Sequence, residues 1–181
     1  MTIGRDEPPD LYLKPGEWFL SARPALVATL LGSCVAVTLF HPGQQVGAIC
    51  HALLPEPPAE GPPPADEEAF RYVSVTVRAM LRAMEQRGLA LDSLEVKLFG
   101  GADVLTVIPR ATRPRTVGAE NVAVARRVLA EYGIEPMSTD VRGRRGRKLY
   151  FRTQTGEVFL RRIRSITAPD EPPAPRIYKR M

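Results

Sequence analysis

The chain contains few of the residue types on which enzymes most often build an active site. Only 2 cysteines and 2 histidines occur among its 181 residues. So small a number argues against a disulfide-rich secreted scaffold, and the spacing of these residues matches no structural zinc site. The sequence also lacks a P-loop, a Gly-x-Gly-x-x-Gly fingerprint and a His-Glu-x-x-His motif. We therefore expect neither a metal nor a cofactor.

Long apolar runs are absent as well. None approaches the length of a membrane span, and residues 1–10 contain no apolar signal-peptide core. The two cysteines fit a reducing compartment, in which thiols stay free. These observations predict a cytoplasmic protein that does not insert into membranes.

The chain is basic, with a net charge of +5. Basic proteins bind nucleic acid or acidic protein surfaces. Here the basic residues crowd one stretch, which contains Arg142, Arg144, Arg145, Arg147 and Lys148. That stretch lacks the interleaved aromatic residues of a platform for single-stranded nucleic acid. We therefore expect no nucleic-acid partner, and tight, salt-dependent binding to DNA or RNA would be the sign of one.

The length and a hydrophobic content of 44% predict one globular domain. Clusters of proline mark its limits. We expect a flexible N-terminus over residues 1–13, a single domain over 14–167 and a proline-rich flexible tail over 168–181. Within the domain, the proline-rich segment 55–65 predicts an extended loop rather than a domain boundary.

Apolar periodicity predicts about seven strands and two main helices. The strands are expected at residues 26–31, 35–40, 46–54, 94–98, 134–139, 148–153 and 157–163. One helix is expected to begin at Asp66 and end at Gly88, and the other to span about residues 119–132. Short strands and a late hairpin indicate a mixed α/β (α+β) fold rather than a doubly wound parallel sheet.

Cys34 and His51 are the strongest candidates for catalysis. Cys34 follows Gly32 and Ser33 at the start of one predicted strand, and His51 lies in the next. An imidazole that takes the thiol proton activates a cysteine, since a free thiol has a pKa of about 8.5. Backbone N–H groups around Gly32, Ser33 and Cys34 would then stabilise an oxyanion. The alternative for a lone cysteine is a small buried hydrophobic residue.

Cys50 is predicted to have a different role. It precedes His51, so its side chain points to the opposite face of the same strand. If His51 faces a site, Cys50 therefore lies in the core. A disulfide between Cys34 and Cys50 would require an oxidising compartment.

Several short motifs follow one another along residues 14–163. They are Leu31-Gly-Ser-Cys-Val-Ala-Val37, Gly47 to Pro55, Phe70-Arg-Tyr72, Lys97-Leu-Phe-Gly-Gly-Ala-Asp103, Val117-Gly-Ala-Glu-Asn121 and Gly146-Arg-Lys148. Their order and spacing resemble the chemoreceptor glutamine deamidase family, CheD, of bacterial chemotaxis. The resemblance implies a layered fold in which mixed β-sheets pack together with helices outside.

The resemblance also implies an activity. Members of the family are cysteine hydrolases that convert specific glutamines of methyl-accepting chemotaxis receptors to glutamate through a thioester and release ammonia. By this resemblance Cys34 is the nucleophile, His51 the general base and acid, and Thr29 the third polar residue. The commonest family register places that third position at Ala28, and a packed strand threonine is the alternative for Thr29. Some members bind a CheC-type CheY-phosphate phosphatase.

Other interpretations stay open at this point. A non-catalytic adaptor would keep the fold and bind chemotaxis proteins, although a scaffold needs neither Cys34 nor His51. Hydrolysis of receptor methyl esters uses the same nucleophile chemistry. The substrate surface implied by the family is a helical coiled coil with acidic patches. It predicts a substrate contact at Arg142, Arg144 and Arg145, for which a solvated loop is the alternative.

Overall fold

The structure is a computed structural model that describes residues 8–62, 64–103, 116–163 and 176–178. These ranges contain ten strands and three α-helices. The strands are β1 (Leu11–Tyr12), β2 (Trp18–Ser21), β3 (Leu26–Leu31), β4 (Val35–His41), β5 (Val46–Cys50), β6 (Glu95–Gly100), β7 (Ser138–Val141), β8 (Arg147–Arg152), β9 (Val158–Arg162) and β10 (Arg176–Tyr178). The helices are α1 (Asp66–Ala69), α2 (Val73–Glu85) and α3 (Val117–Glu131).

The strands form two five-stranded mixed sheets. The first sheet has the order β1-β3-β8-β9-β10, and the second has the order β2-β5-β4-β6-β7. One pair in each sheet is parallel, β1 with β3 and β6 with β7, and the other pairs are antiparallel. The chain crosses between the sheets more than once, and the turn between β3 and β4 is one of these crossings.

Side-chain alternation along the strands creates two cores. Between the sheets, Val27 and Leu31 of β3 belong to one cluster with Ala36, Ile49 and Phe99 of the second sheet. The opposite face of the second sheet packs against α2 and α3 in the other cluster. The molecule therefore has three layers, namely first sheet, second sheet and helices, as the family resemblance implied.

Some elements differ from the expected ones. The strand expected at 46–54 ends at Cys50, and beyond it Ala52 and Leu54 pair only as isolated bridges. The helix expected from Asp66 is interrupted, because Tyr72 is extended and forms a bridge with Leu54. The strand expected at 134–139 lies later, at Ser138–Val141.

The structure describes strands in both of the predicted flexible ends, β1 near the N-terminus and β10 in the tail. The chain was expected to become ordered at residue 14, but β1 pairs with β3 and Leu13 is only 2% exposed. Of the expected tail 168–181, residues 176–178 form β10 beside β9, and the rest lies outside the described residues, as do residues 1–7. The loop 55–65 is tied to α3 by an ion pair between Glu56 and Arg127.

Candidate active site

The turn of residues 32–34 is fixed through its carbonyl groups. All three accept hydrogen bonds from the segment after β6 or from α3. The bonds are Ala102 N to Gly32 O at 2.8 Å, Asn121 Nδ2 to Ser33 O at 3.0 Å and Gly101 N to Cys34 O at 2.8 Å. Within the described ranges, neither Ser33 nor Cys34 donates its backbone N–H to another residue. The turn is thus anchored through its carbonyl groups, and its N–H groups at Ser33 and Cys34 are not used by any residue that the structure describes.

Gly100 makes this anchoring possible. It ends β6 with a φ of 104°, and a Cβ at this position would lie 2.2 Å from Cys34 O. Only glycine permits so close a backbone approach together with a positive φ. The Gly-Gly pair at 100–101 therefore serves strand packing next to the candidate nucleophile.

His51 is held by the turn between β1 and β2. His51 N donates to Glu17 O at 2.9 Å, and Gly16 N donates to His51 O at 2.8 Å. The residue is 3% exposed, so its ring orientation depends on protein contacts rather than on water.

Thr29 determines which nitrogen of His51 carries the proton. Thr29 Oγ1 donates to Leu13 O at 2.8 Å and lies 2.8 Å from His51 Nδ1. A hydroxyl has one proton and a carbonyl can only accept, so Oγ1 accepts the Nδ1–H of His51. Neutral His51 consequently keeps a free lone pair on Nε2. This atom is buried and has no hydrogen-bond partner among the residues that the structure describes.

The register of the strands places Thr29, and not Ala28, next to His51. Thr29 lies on the face of β3 that Val27 and Leu31 turn toward the second sheet. Ala28 alternates to the opposite face. The threonine, one residue later than the commonest family register, is therefore the one that meets His51.

Cys34 and His51 share one face of the second sheet. Val35 and Ala52 exchange both backbone hydrogen bonds at 3.0 Å, so Cys34 and His51 are diagonal neighbours across this pair. Diagonal neighbours lie roughly 7–8 Å apart at the backbone, within reach of long side chains. The 17-residue separation in sequence is thus closed by one antiparallel pairing. No hydrogen bond joins the two side chains, a common situation in a site without substrate.

Burial keeps both groups neutral. It raises the pKa of the Cys34 thiol above its usual range, against an opposing contribution from the cysteine's own backbone N–H. It lowers the pKa of His51, against smaller contributions from the Leu13 carbonyl and the charge of Glu17. The resting pair is therefore a thiol and a neutral imidazole. Such a pair acts by general-base removal of the thiol proton during attack.

Cys50 lies in the core, as its position in the strand predicted. It is 0% exposed and packs in the cluster between the second sheet and the helices. Val37 N donates to its sulfur at 3.4 Å, and burial raises the pKa of the thiol to about 12. The two cysteines lie on opposite faces of the second sheet, and both are free thiols.

Two contributors to this site were missed in the sequence. One is the Leu13 carbonyl, which nothing in the sequence marks because the short β1 has no recognisable periodicity. The other is Asn121, which is fully buried in α3 and donates from Nδ2 to Leu53 O at 2.8 Å as well as to Ser33 O. Asn121 ends the motif Val117-Gly-Ala-Glu-Asn121, and asparagine is a poor helix former, so both its motif and its place inside a helix were available signals.

The predicted basic surface forms a folded loop beside the turn. Arg142 N donates to Gly100 O at 2.8 Å, which ties the loop to the strand end next to Cys34. A pocket of about 240 Å³ is lined by Val141, Arg142, Gly143, Arg144, Arg145, Arg147 and Arg162. Arg142 also pairs with Asp103 at 3.5 Å. The loop therefore places Arg144 and Arg145 on the same edge of the molecule as Cys34.

Arg147 is the centre of this loop rather than part of a solvated surface. Its guanidinium donates to Arg142 O at 2.5 Å, to Arg145 O at 3.3 Å and to the buried carboxylate of Asp140 at 2.7 Å. Arg162 donates to the other oxygen of the same carboxylate at 2.8 Å. Arg147 is 2% exposed, so it shapes the loop from inside.

The described part of the chain contains neither a candidate metal site nor a helix that could cross a membrane. No group of three or more His, Cys, Asp or Glu side chains is arranged to hold a metal ion. None of the helices combines the length and the apolar character needed to cross a bilayer.

Comparison with known proteins gives consistent matches. A family model described as CheD chemotactic sensory transduction matches residues 53–162. A Geobacter sulfurreducens protein named probable chemoreceptor glutamine deamidase CheD 2 is 47% identical over 163 residues, which cover 90% of this chain and 96% of that protein. That match includes Thr29, Cys34 and His51, since it leaves only a tenth of the chain outside.

Similarly named proteins of other organisms also match. The one from Nitratidesulfovibrio vulgaris is 44% identical and covers 91% of this chain and 81% of its own length. The one from Thermococcus kodakarensis is 34% identical, and the match covers 82% of this chain and 89% of that protein. Among solved structures, the Bacillus licheniformis hypothetical protein YfiH matches 68% of this chain and 49% of its own, with a TM-score of 0.44 and 14% identity. On the family match and these relatives, the chain belongs to the CheD family.

Proposed function

We propose that this protein deamidates glutamine side chains of chemoreceptors, with Cys34 as the nucleophile and His51 as the general base and acid. One observation carries the proposal. Thr29 binds the Nδ1–H of His51, which leaves the Nε2 lone pair as a base on the sheet face that Cys34 shares. The substrate class comes from the relatives, which are named chemoreceptor glutamine deamidases.

The first half of the reaction forms a thioester. Cys34 Sγ attacks the carboxamide carbon of the glutamine while Nε2 of His51 takes the thiol proton. Negative charge develops on the carboxamide oxygen, and the free N–H groups at Ser33 and Cys34 are the donors available to it. Nε2 then returns its proton to the leaving nitrogen, the C–N bond breaks and ammonia departs.

The second half uses the same groups in reverse order. Nε2 removes a proton from a water molecule that attacks the thioester carbon. The tetrahedral intermediate collapses, the C–S bond breaks and the sulfur recovers its proton from His51. The product is glutamate, and the enzyme returns to the neutral thiol and imidazole. Thr29 keeps accepting the Nδ1–H throughout, so the ring holds one orientation in both halves.

The proposed substrate surface is the basic loop. The methylated region of a chemoreceptor implied by the family is a helical coiled coil with acidic patches. Arg144 and Arg145 offer the complementary charge on the same edge of the molecule as Cys34. Since this substrate region is cytoplasmic, the proposal also places the protein in the cytoplasm. A CheC-type phosphatase is a further proposed partner, by the family resemblance.

Mass spectrometry of a receptor fragment tests the proposal. A recombinant cytoplasmic fragment of a chemoreceptor from the same genome is incubated with the native protein and with Cys34→Ala, and glutamine-to-glutamate conversion is mapped by peptide. We expect conversion at specific glutamines by the native protein alone. Methylated fragments in the same assay report any release of methanol, which would reveal ester hydrolysis.

Two outcomes would contradict the proposal. Equal conversion by both proteins would exclude Cys34 as the nucleophile. No conversion by either, across the receptors of that genome, would favour the non-catalytic adaptor, for which binding to a CheC-type phosphatase is the next measurement.

A further inference from the structure

We propose that Asn121 is a positioning residue that orients the oxyanion-binding donor of Cys34, an inference that rests on the proposed deamidase function. Asn121 Nδ2 donates to Ser33 O at 3.0 Å and to Leu53 O at 2.8 Å. One amide nitrogen on α3 thus joins the turn that carries Cys34 to the segment that follows His51. No other described side chain bonds to both segments.

The orientation of the Asn121 amide is unambiguous. Both of its partners are backbone carbonyls, which only accept hydrogen bonds, so the nitrogen and not the oxygen faces them. Asn121 Oδ1 then has no partner in the part of the chain that the structure describes. Asn121 is 0% exposed, and an unpaired oxygen at such a site is unfavourable. The two bonds to carbonyls are therefore what this residue contributes.

The bond to Ser33 O acts on the N–H of Cys34 through the peptide plane. The two groups belong to one planar peptide, and the described chain contains no cis peptide bond. In a trans peptide the N–H points opposite to the C=O. With Ser33 O directed at α3, the Cys34 N–H is directed away from α3, and it donates to no backbone carbonyl of the described residues. A carbonyl that accepts a hydrogen bond also polarises its peptide, which makes the N–H a stronger donor.

The bond to Leu53 O has a second effect. Leu53 follows the Val35–Ala52 bridge and lies two residues beyond His51. Because one nitrogen bonds both carbonyls, Ser33 and Leu53 cannot separate without breaking a hydrogen bond. Asn121 therefore fixes the oxyanion donor relative to the strand that positions the base. Aligned donors contribute most when they are in place before charge develops.

The test compares Asn121→Leu with Thr153→Val. Leucine has the same branching and the same number of side-chain heavy atoms as asparagine, although it is bulkier, and it has no donor. Thr153 is also 0% exposed, and its hydroxyl also bonds to two backbone groups. It donates to Arg23 O and accepts from Ala25 N, both at 2.9 Å. It lies beyond the end of β8 that is remote from Cys34. For each variant we would measure kcat and KM on the receptor fragment, the rate of Cys34 alkylation by iodoacetamide, and the thermal midpoint.

We expect Asn121→Leu to lower kcat by about 10²-fold, the loss seen when one oxyanion donor is removed. KM and the alkylation rate should change little, because neither requires an oxyanion donor. Thr153→Val should lower the thermal midpoint and leave kcat unchanged. If Asn121→Leu does not fold, Asn121→Ser takes its place, with a smaller loss of kcat because its hydroxyl keeps one donor.

The outcomes separate the possible failures. An unchanged kcat, a rise in KM alone, or a loss of kcat matched by an equal loss of alkylation would each overturn the positioning role. Failure of the native protein to deamidate any receptor fragment would overturn the proposed function, and this inference with it.

Discussion

At the scale of single residues, the site is built from neutral groups. A thiol with a raised pKa and an imidazole with a lowered pKa are diagonal neighbours on one face of the second sheet. Neither is charged at rest, so the proton must move during attack rather than before it. His51 must be unprotonated to act, and burial favours that form.

The pH dependence of deamidation follows from this. The pKa of His51 lies below its usual value of about 6.5. Activity should therefore stay high near neutral pH and fall only as pH drops below that value. The same shift makes folding less favourable below about pH 6.5, because the unfolded chain takes up the proton first. Rates of ammonia release between pH 4.5 and 8 check this, and an acid limb centred above pH 6.5 would contradict the lowered pKa of His51.

Thr29 offers a second test at this scale. Thr29→Val keeps the shape of the side chain, but the Nδ1–H of His51 loses its acceptor. Either tautomer of the His51 ring then becomes accessible. We expect kcat to fall by about 10- to 100-fold, part of the ~10²–10⁴ that a positioned acid–base group contributes. Thr29→Ser, which keeps the hydroxyl, should retain most activity. Equal kcat values for the valine and serine variants would show that the hydroxyl has no part in catalysis.

At the scale of elements, the site depends on where three backbone segments meet. The bounds of β3 and the start of β4 follow from their apolar runs, so the turn that carries Cys34 was predictable. The two-residue β1 and the four-residue β2 were not, because strands so short leave no periodic pattern. Their contacts with His51 consequently appear only in the structure. The same is true of Asn121, whose partners are backbone atoms far away in sequence.

Gly100→Ala tests the packing of the turn. The new Cβ would meet Cys34 O, and the positive φ alone costs about 1–2 kcal/mol. Gly133→Ala is the matched control, because its φ is also positive, at 71°, but a Cβ there meets nothing within 4 Å. We expect both variants to lose similar stability from φ and only Gly100→Ala to lose most of its activity. Chemical denaturation and ammonia release measure the two effects, and an active Gly100→Ala protein would contradict this account.

At the scale of the whole molecule, two sheets and a helical layer bring the candidate site and the basic loop to one edge. The clustering of arginines was evident from the sequence. Which of these arginines are buried and which are accessible was not. Arg147 is buried, pairs with Asp140 and shapes the loop from inside, whereas Arg144 is exposed and Arg145 is half-buried. Buried ion pairs between residues of different strands depend on sheet register, which a single sequence does not reveal.

Charge neutralisation tests the proposed substrate surface. Arg144→Gln combined with Arg145→Gln should raise KM about 3- to 10-fold with little change in kcat, since exposed ion pairs contribute roughly 0.2–1 kcal/mol each. The effect should shrink at high salt. Lys148→Gln with Arg161→Gln removes the same charge from facing positions of β8 and β9. Similar KM values for the two double variants would mean that only net charge matters. An unchanged KM in the Arg144 and Arg145 variant would show that these residues do not bind the substrate.

The placement of the two sulfur atoms on opposite faces of the second sheet has a consequence for oxidative damage. A sulfenic acid on Cys34 is normally rescued when a nearby thiol condenses with it to form a disulfide. Cys50, the only other cysteine, is sealed in the core behind the sheet and cannot reach it. Peroxide should therefore carry Cys34 onward to the irreversible sulfinic acid unless a small cellular thiol intercepts it. The working life of the protein would then depend on the thiol pool around it.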